Sequence, residues 1–310
     1  FQQTFAIGEA MRQYRAFQIP GIDILADQKE YSTAKQAVSV ARQFGRRDVL
    51  SEIYGVTQWD ADFKTYKLQG DWLAAMGITV RVPHLSFMSM EGEAKRDWPA
   101  SIFYQSPWYE KYPLIEDHFA RLNTILKKGR ALCRVGVIHP IESYWTVYGP
   151  NDQTLDIRRQ LDENYANVLK WLIFGLIDFD LISESMLSGQ YCVRKGSFQI
   201  GCAEYQVILI PDCRVLRGTT AAALEEFVEQ GGELVFAGHI PQFVDCVRSD
   251  RLERLANRTK TTVFTKEGIL DCLGAYWDIQ VMADNGGRSD NLAYQMREDG
   301  DCRWLFLCNV

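Results

Sequence analysis

The sequence predicts a mixed α/β protein built on parallel sheets, in two successive blocks followed by a short β-rich segment. Three observations lead there. Strand-like and helix-like runs alternate through the first 130 residues, a second alternation starts near Ala131, and from about Tyr276 the text changes to alternating runs with a turn signal at Asn285 to Gly287. Strand and helix in strict rotation mean βα units, whose strands lie parallel. At 310 residues the chain also exceeds the usual size of one hydrophobic core.

Each element has its own warrant. "TFAIGEAMRQYRAF" has helical periodicity, and "IPGIDIL" is a short apolar run punctuated by Pro20 and Gly21. "STAKQAVSVARQFG" opens on Ser32 or Thr33 as a cap and closes on Gly45, the residue a helix exit favours. "DVLSEIYG" reads as a strand, "DFKTYKLQGDWLAAMG" as a helix ended by Gly77, and "ITVRVPHLS" as a strand rich in β-branched residues. The loop "FMSMEGEAKRDWPASIFYQSPW" is far longer than usual for such a connection, and its aromatics argue for order. "YPLIEDHFARLNTILKKG" follows as an amphipathic helix with Leu114, His118, Leu122 and Ile125 near one face. In the second block "ALCRVGVIHP", "DFDLIS", "YQVILIP" and "ELVFAG" are strands, and "NYANVLKWLIFGLID" and "TTAAALEEFVEQGG" are helices, which together predict a doubly wound unit.

Composition narrows the function classes. A net charge of −6 argues against a nucleic-acid or anionic-membrane binder, since both need a positive field. The most apolar stretch, "VLKWLIFGLIDFDLI", is broken by Lys170, Asp178 and Asp180 and falls short of a membrane span. Eight cysteines stand singly, with no spacing typical of a zinc site, and predict reduced thiols in a reducing, cytoplasmic setting. The chain opens inside a helix-like run and stops inside a strand-like one, so it reads as an excised piece of a longer polypeptide. No nucleotide, P-loop or zinc-protease motif is present. Each strand of the first block ends in a polar residue, Asp23, Glu52 or His84, at the position where parallel β/α folds collect their chemistry.

The order of these pieces resembles a known group. A strand carrying a carboxylate in "SEIYG", the run "PHLSFMSMEGEAKRDWPASIFYQSPW", then "CRVGVIHPIESYW" and "YQVILIPDCRVL" followed by "LEEFVEQGGELVFAG" are similar to family-42 β-galactosidases and family-106 α-L-rhamnosidase-like proteins. The resemblance spans about residues 1 to 250. It implies the C-terminal part of a (β/α)8 barrel (1–130), a flavodoxin-like, class I glutamine-amidotransferase-like doubly wound domain (131–270) and the start of a β domain (271–310). It further implies a glycoside hydrolase acting on plant or microbial oligosaccharides. "IPGIDIL", "DVLSEIYG" and "ITVRVPHLS" take the places of the sixth, seventh and eighth barrel strands. Glu52 then falls on the strand-seven carboxylate, nucleophile or general base, while the proton donor of strand four lies before Phe1.

Glycoside cleavage needs two carboxyl groups, about 5 to 5.5 Å apart for retention and about 6.5 to 9.5 Å for inversion. Tyr54 is expected to hydrogen-bond Glu52 and hold it ionised; the plain alternative pairs Glu52 with Arg46, Arg47 or Arg81. Asp23, Tyr54, Trp59, His84, Trp98, Tyr104 and Trp108 are the expected substrate contacts, with Asp60 read as a helix cap and Glu91, Glu93 and Asp97 as solvated loop charges. The resemblance requires no cofactor and admits a calcium ion at Asp23. His139 and Glu142 of "HPIES" read as a domain-interface motif. Cys213 with His239 offers a thiol-nucleophile alternative, but "IPDCRVLRG" lacks the Gly-x-Cys-x-Gly elbow such chemistry uses. The expected partner is a glycoside, with neither nucleic acid nor membrane, and a homo-oligomer can form through the amidotransferase-like domain. A carbohydrate-binding pseudoenzyme and a structural assembly module are the alternatives from other classes.

Overall fold

The computed structural model describes residues 7–26, 28–92, 101–284 and 286–310. Two compact units divide the chain, one of residues 17–41, 46–132 and 291–310, the other of residues 1–16, 42–45 and 133–290. The segment 271–310, read from sequence as one β-rich piece, is therefore shared between them. Among the described residues no helix is long and apolar enough to cross a membrane. All eight cysteines are free thiols.

The first unit is built on three parallel strands in chain order, β1 (Gly21–Leu25), β2 (Leu50–Gly55) and β3 (Val80–Pro83). Helices α2 (Tyr31–Gln43), α3 (Phe63–Met76) and α4 (Pro113–Leu126) connect and cover them. Both predicted glycine exits are present: Gly45 and Gly77 adopt φ of 65° and 112°, which L side chains rarely do. The N-cap of α3 is Asp62, whose carboxylate accepts from the Thr65 amide, and not the expected Asp60, which is exposed two residues earlier. On α4 the buried stripe is Ile115, Phe119 and Leu126, with Leu114 60% exposed, so the expected face is rotated by one residue. The cause is local: a Cβ at Gly70 would overlap the Phe119 ring, so the bare Gly70 backbone makes the socket that selects Phe119. A long hairpin, β16 (Leu292–Asp299) and β17 (Cys302–Asn309), pairs antiparallel and takes the short β4 (Arg130–Ala131) on its other edge. It packs on α3, where the Cys308 thiol donates to the Asp71 carbonyl.

The second unit contains α1 (Ala10–Tyr14), shorter than its sequence pattern suggests, and a five-stranded parallel sheet. Its strands are β5 (Val135–Ile138), β6 (Phe179–Ile182), β10 (Val207–Ile210), β12 (Glu233–Ala237) and β15 (Lys260–Thr262), in the spatial order β15-β12-β10-β5-β6. Chain direction across the sheet reverses between β5 and β10, which is the doubly wound arrangement. Helices α5 (Ile141–Thr146), α6 (Asn151–Phe174), α7 (Gly218–Glu229), α8 (Arg251–Ala256) and α9 (Lys266–Cys272) complete the layers. A meander of β7 (Tyr191–Arg194), β8 (Ser197–Ile200) and β9 (Ala203–Tyr205) is inserted before β10, with Phe198 set edge-on against Phe227 of α7. Two-residue strands β11 (Val215–Leu216), β13 (Phe243–Val244) and β14 (Val247–Arg248) form a small sheet beside it.

Candidate active site

Alternation along β1 and β2 decides which side chains can do chemistry. Ile22, Ile24, Ser51 and Ile53 are buried toward the helices, so the residues between them occupy the opposite, open face. Asp23 pairs with Glu52 and Glu52 with Val82, which lines up these three side chains in one row across the open face. β1 and β2 run on past Asp23 and Glu52 to Leu25 and Gly55, so these carboxylates stand within the strands and not at the ends the sequence suggests. Paired positions on adjacent strands are roughly 4.8 Å apart, so two carboxylates stand side by side. Among the described residues no ion pair or hydrogen bond engages the Glu52 carboxylate; Ser51 Oγ donates to the Glu52 carbonyl at 2.8 Å. Of the three guanidinium groups read as plain partners, Arg81 is committed elsewhere: it bonds Glu116 at 2.6 Å and lies 3.9 Å over the Phe119 ring.

The chain leaves this row through strained backbone. Ala26, Tyr54, Val56 and Gln58 all have positive φ, at 52°, 69°, 61° and 64°, and the ladder shifts register between Asp23 and Leu25. A β-branched valine in that region is costly, and such strain persists where the surroundings fix it, frequently at functional sites. Tyr54 corrects the sequence reading. Its left-handed backbone turns the ring into the helix layer, fully buried, where the hydroxyl donates to the Tyr66 carbonyl at 3.1 Å and sits 3.3 Å from Arg81. It neither bonds Glu52 nor reaches the open face; burial pushes its hydroxyl above the ordinary range, with Arg81 opposing. Gln69 secures the turn, accepting from the Tyr54 amide and donating to the Ala26 carbonyl.

His84 stands at the end of β3, its amide donating to the Ile53 carbonyl at 2.6 Å. Its ring packs beside Gly55, where a Cβ would lie 3.3 Å from both the imidazole and Leu25. Its Nδ1 is buried with no hydrogen-bond partner among the described residues. Trp59 is half-buried on the loop after β2. Tyr104 is exposed and donates to the Met88 carbonyl, while Trp108 is half-buried with its indole N–H unpaired among the described residues. Glu91 is exposed; Trp98, Glu93 and Asp97 lie outside the described residues. Among the described residues no group of three or more His, Cys, Asp or Glu could hold a metal ion.

The remaining expectations resolve within the doubly wound unit. His139 is buried 3.8 Å from Glu9, and Glu142 bonds Arg217 at 2.6 Å. Burial alone would raise Glu9, but the neighbouring His139, Ser183 and Ser185 hold its carboxyl down at about 2. Cys213 is buried, and burial pushes its thiol well above the ordinary range, the opposite of an activated nucleophile. His239 is exposed and turned to Asp212, 2.9 Å away. Asp212, two residues past the end of β10, was missed in the sequence.

No family model matches the chain, and no curated protein matches it. Solved structures do. A rhamnosidase from Novosphingobium sp. PP1Y aligns over 96% of this chain and 30% of its own, at 17% identity and a TM-score of 0.66. An apo exo-carrageenase GH42 from Bacteroides ovatus aligns over 94% of this chain and 40% of its own, at 9% identity and 0.53. A GH42 β-galactosidase from G. stearothermophilus aligns over 96% and 42%, at 11% identity and 0.50. The likeness is one of fold, and the chain spans less than half the length of each of these structures.

Proposed function

We propose that this chain is part of a glycoside hydrolase, with β1, β2 and β3 as the last three staves of a (β/α)8 barrel and Glu52 as nucleophile or general base. One observation carries the reading: Glu52 stands on the open face of a parallel strand, in the same row as Asp23, with no cation neutralising it among the described residues. A carboxylate so placed is unpaired and within reach of solvent and substrate, which leaves it available for chemistry. The neighbours named above, a rhamnosidase and two GH42 enzymes, support a glycosidase; whether the substrate is an α-L-rhamnoside or a β-galactoside is left to the assay. The proton donor comes from a strand preceding this segment. Glu52 attacks the anomeric carbon or takes a proton from the attacking water, and the donor protonates the leaving oxygen. Asp23 and His84 bind sugar hydroxyls, and Trp59, Trp98, Tyr104 and Trp108 supply apolar faces for sugar rings. Tyr54 acts from behind, fixing the turn that ends the Glu52 strand. The doubly wound unit is an amidotransferase-like scaffold without thiol chemistry.

The test is Glu52→Gln in the natural polypeptide that carries this sequence, assayed on aryl α-L-rhamnoside and aryl β-D-galactoside. We expect kcat to fall at least about 10³-fold with KM and the melting temperature little changed. A variant retaining activity rejects the assignment, and sugar binding without turnover in the parent points to the pseudoenzyme.

A further inference from the structure

A cavity of about 320 Å³ opens in the doubly wound unit, where β10 and β12 end, against α6. Open parallel sheets bind ligands beyond the carboxyl ends of their strands, and this volume reaches the lower end of small-molecule sites. Its wall is apolar, with Leu161 and Phe243 among the lining residues, and its polar groups converge. Asp212 follows β10 and takes three hydrogen bonds: Asn164 Nδ2 donates to Oδ2 at 2.7 Å, and the His239 amide and ring Nδ1 both reach Oδ1 at 2.9 Å. Gly238 makes the double contact possible. Its φ is +90°, and a Cβ there would stand 3.0 Å from the Asp212 Cβ and 3.1 Å from that of Phe264.

A carboxylate only accepts, so Nδ1 is the protonated nitrogen of His239, and Nε2 presents an acceptor from a side chain that is 93% exposed. Arg214, also lining the cavity, is exposed, and among the described residues nothing pairs with its guanidinium. An apolar wall, a free guanidinium and a ring acceptor held in one tautomer make a complementary set. We propose that this pocket binds a small hydroxy-carboxylate with an apolar body, its carboxylate on Arg214, its hydroxyl donating to His239 Nε2 and its body against Leu161 and Phe243. Asp212 and Asn164 act as positioning residues that fix the imidazole. This site is independent of Glu52 and of the hydrolase reading.

Mandelate carries all three features and serves as the probe, titrated calorimetrically into the full chain beside mandelamide, which lacks the charge, and phenylacetate, which lacks the hydroxyl. Mandelate is expected to bind one to one, mandelamide about tenfold or more weakly because Arg214 loses its ionic partner, and phenylacetate roughly three- to tenfold more weakly. Arg214→Gln removes the preference for acid over amide, and His239→Phe removes the preference for mandelate over phenylacetate. Both side chains are exposed, so these variants keep the fold, which circular dichroism verifies. Leu161→Trp fills the cavity and abolishes binding. No saturable heat with mandelate up to about 10 mM, well beyond the millimolar range of weak specific binding, overturns the proposal. So do equal affinities for the three probes, or mandelate binding that survives the tryptophan.

Discussion

The two parallel sheets are made from similar units and end up in opposite environments. In the five-stranded sheet β5, β6 and β10 are buried at every position, which requires cover on both faces and apolar side chains of both parities. In the three-stranded sheet β1 alternates exposed and buried from Gly21 to Leu25, and β3 leaves Val82 exposed, so helices cover only one face. A fully buried sheet can be stable but has few places for an ionised group. A half-covered sheet can hold Asp23 and Glu52 where solvent and a substrate reach them. The doubly wound unit places His139, Glu184 and Asp212 just beyond strand ends, with Glu9 near His139, and Asp180 is the one polar side chain within β5, β6 and β10.

The largest stability effect expected from this contrast is in the two-sided sheet. Phe236 of β12 has no exposed surface, and Phe236→Ala leaves a cavity that cannot collapse between two layers. Its cost is about 3–5 kcal/mol, read as a lowered urea midpoint for the doubly wound unit. A loss under about 1 kcal/mol would mean that β12 is covered on one side only, and would erase the distinction between the sheets.

Glu184 sharpens the comparison through pH. Burial raises its carboxyl to about 7, partly opposed by the Arg217 amide, which donates to Oε2 at 2.7 Å. The folded state therefore holds a proton that the unfolded state releases above its ordinary value of 4.5, and stability falls as pH rises from about 4.5 to about 7. Glu184→Gln keeps the acceptor and removes the charge. At pH 8 it is expected to stabilise by up to about 3 kcal/mol, and at pH 4 by nothing, with denaturant midpoints at the two pH values as the measurement. Glu9 has the opposite sign. Its carboxyl is held at about 2, so it contributes stability that is present above 4.5 and lost as pH falls toward 2. Equal behaviour of the Gln variant at both pH values would show that the strand ends of the two-sided sheet are wetter than their burial indicates.

Much of this division was legible in the residues, for reasons specific to each. The strands were visible because β-branched and apolar runs stop at Pro, Gly or polar residues, and the exits at Gly45 and Gly77 because only glycine takes those φ values cheaply. The turn after Glu52 was not legible: Tyr54, Val56 and Gln58 carry no signal for a left-handed backbone, and tertiary contacts such as Gln69 to the Tyr54 amide impose it. That is why Tyr54 was expected beside Glu52 and is found behind it. The face of α4 was missed by one residue because its partner is an absence of side chain, at Gly70, which no periodicity records.

The smallest effect belongs to the open face itself. Leu25 and Val82 are 40% and 39% exposed, so Leu25→Thr and Val82→Thr, made in residues 1–310 as they stand, remove little buried area and are expected to change stability by less than about 0.5 kcal/mol. The barrel reading makes a second demand on the same substitutions. If preceding staves close over this face in the natural polypeptide, both side chains become interior, and each replacement there is expected to cost about 1–3 kcal/mol through an underpacked, partly unsatisfied core. Thermal denaturation of both lengths separates the cases. A penalty that appears only in the longer chain supports a closed barrel over Glu52, whereas equal, negligible losses in both lengths would leave the carboxylate on a permanently open sheet, with no walls to hold a sugar against it.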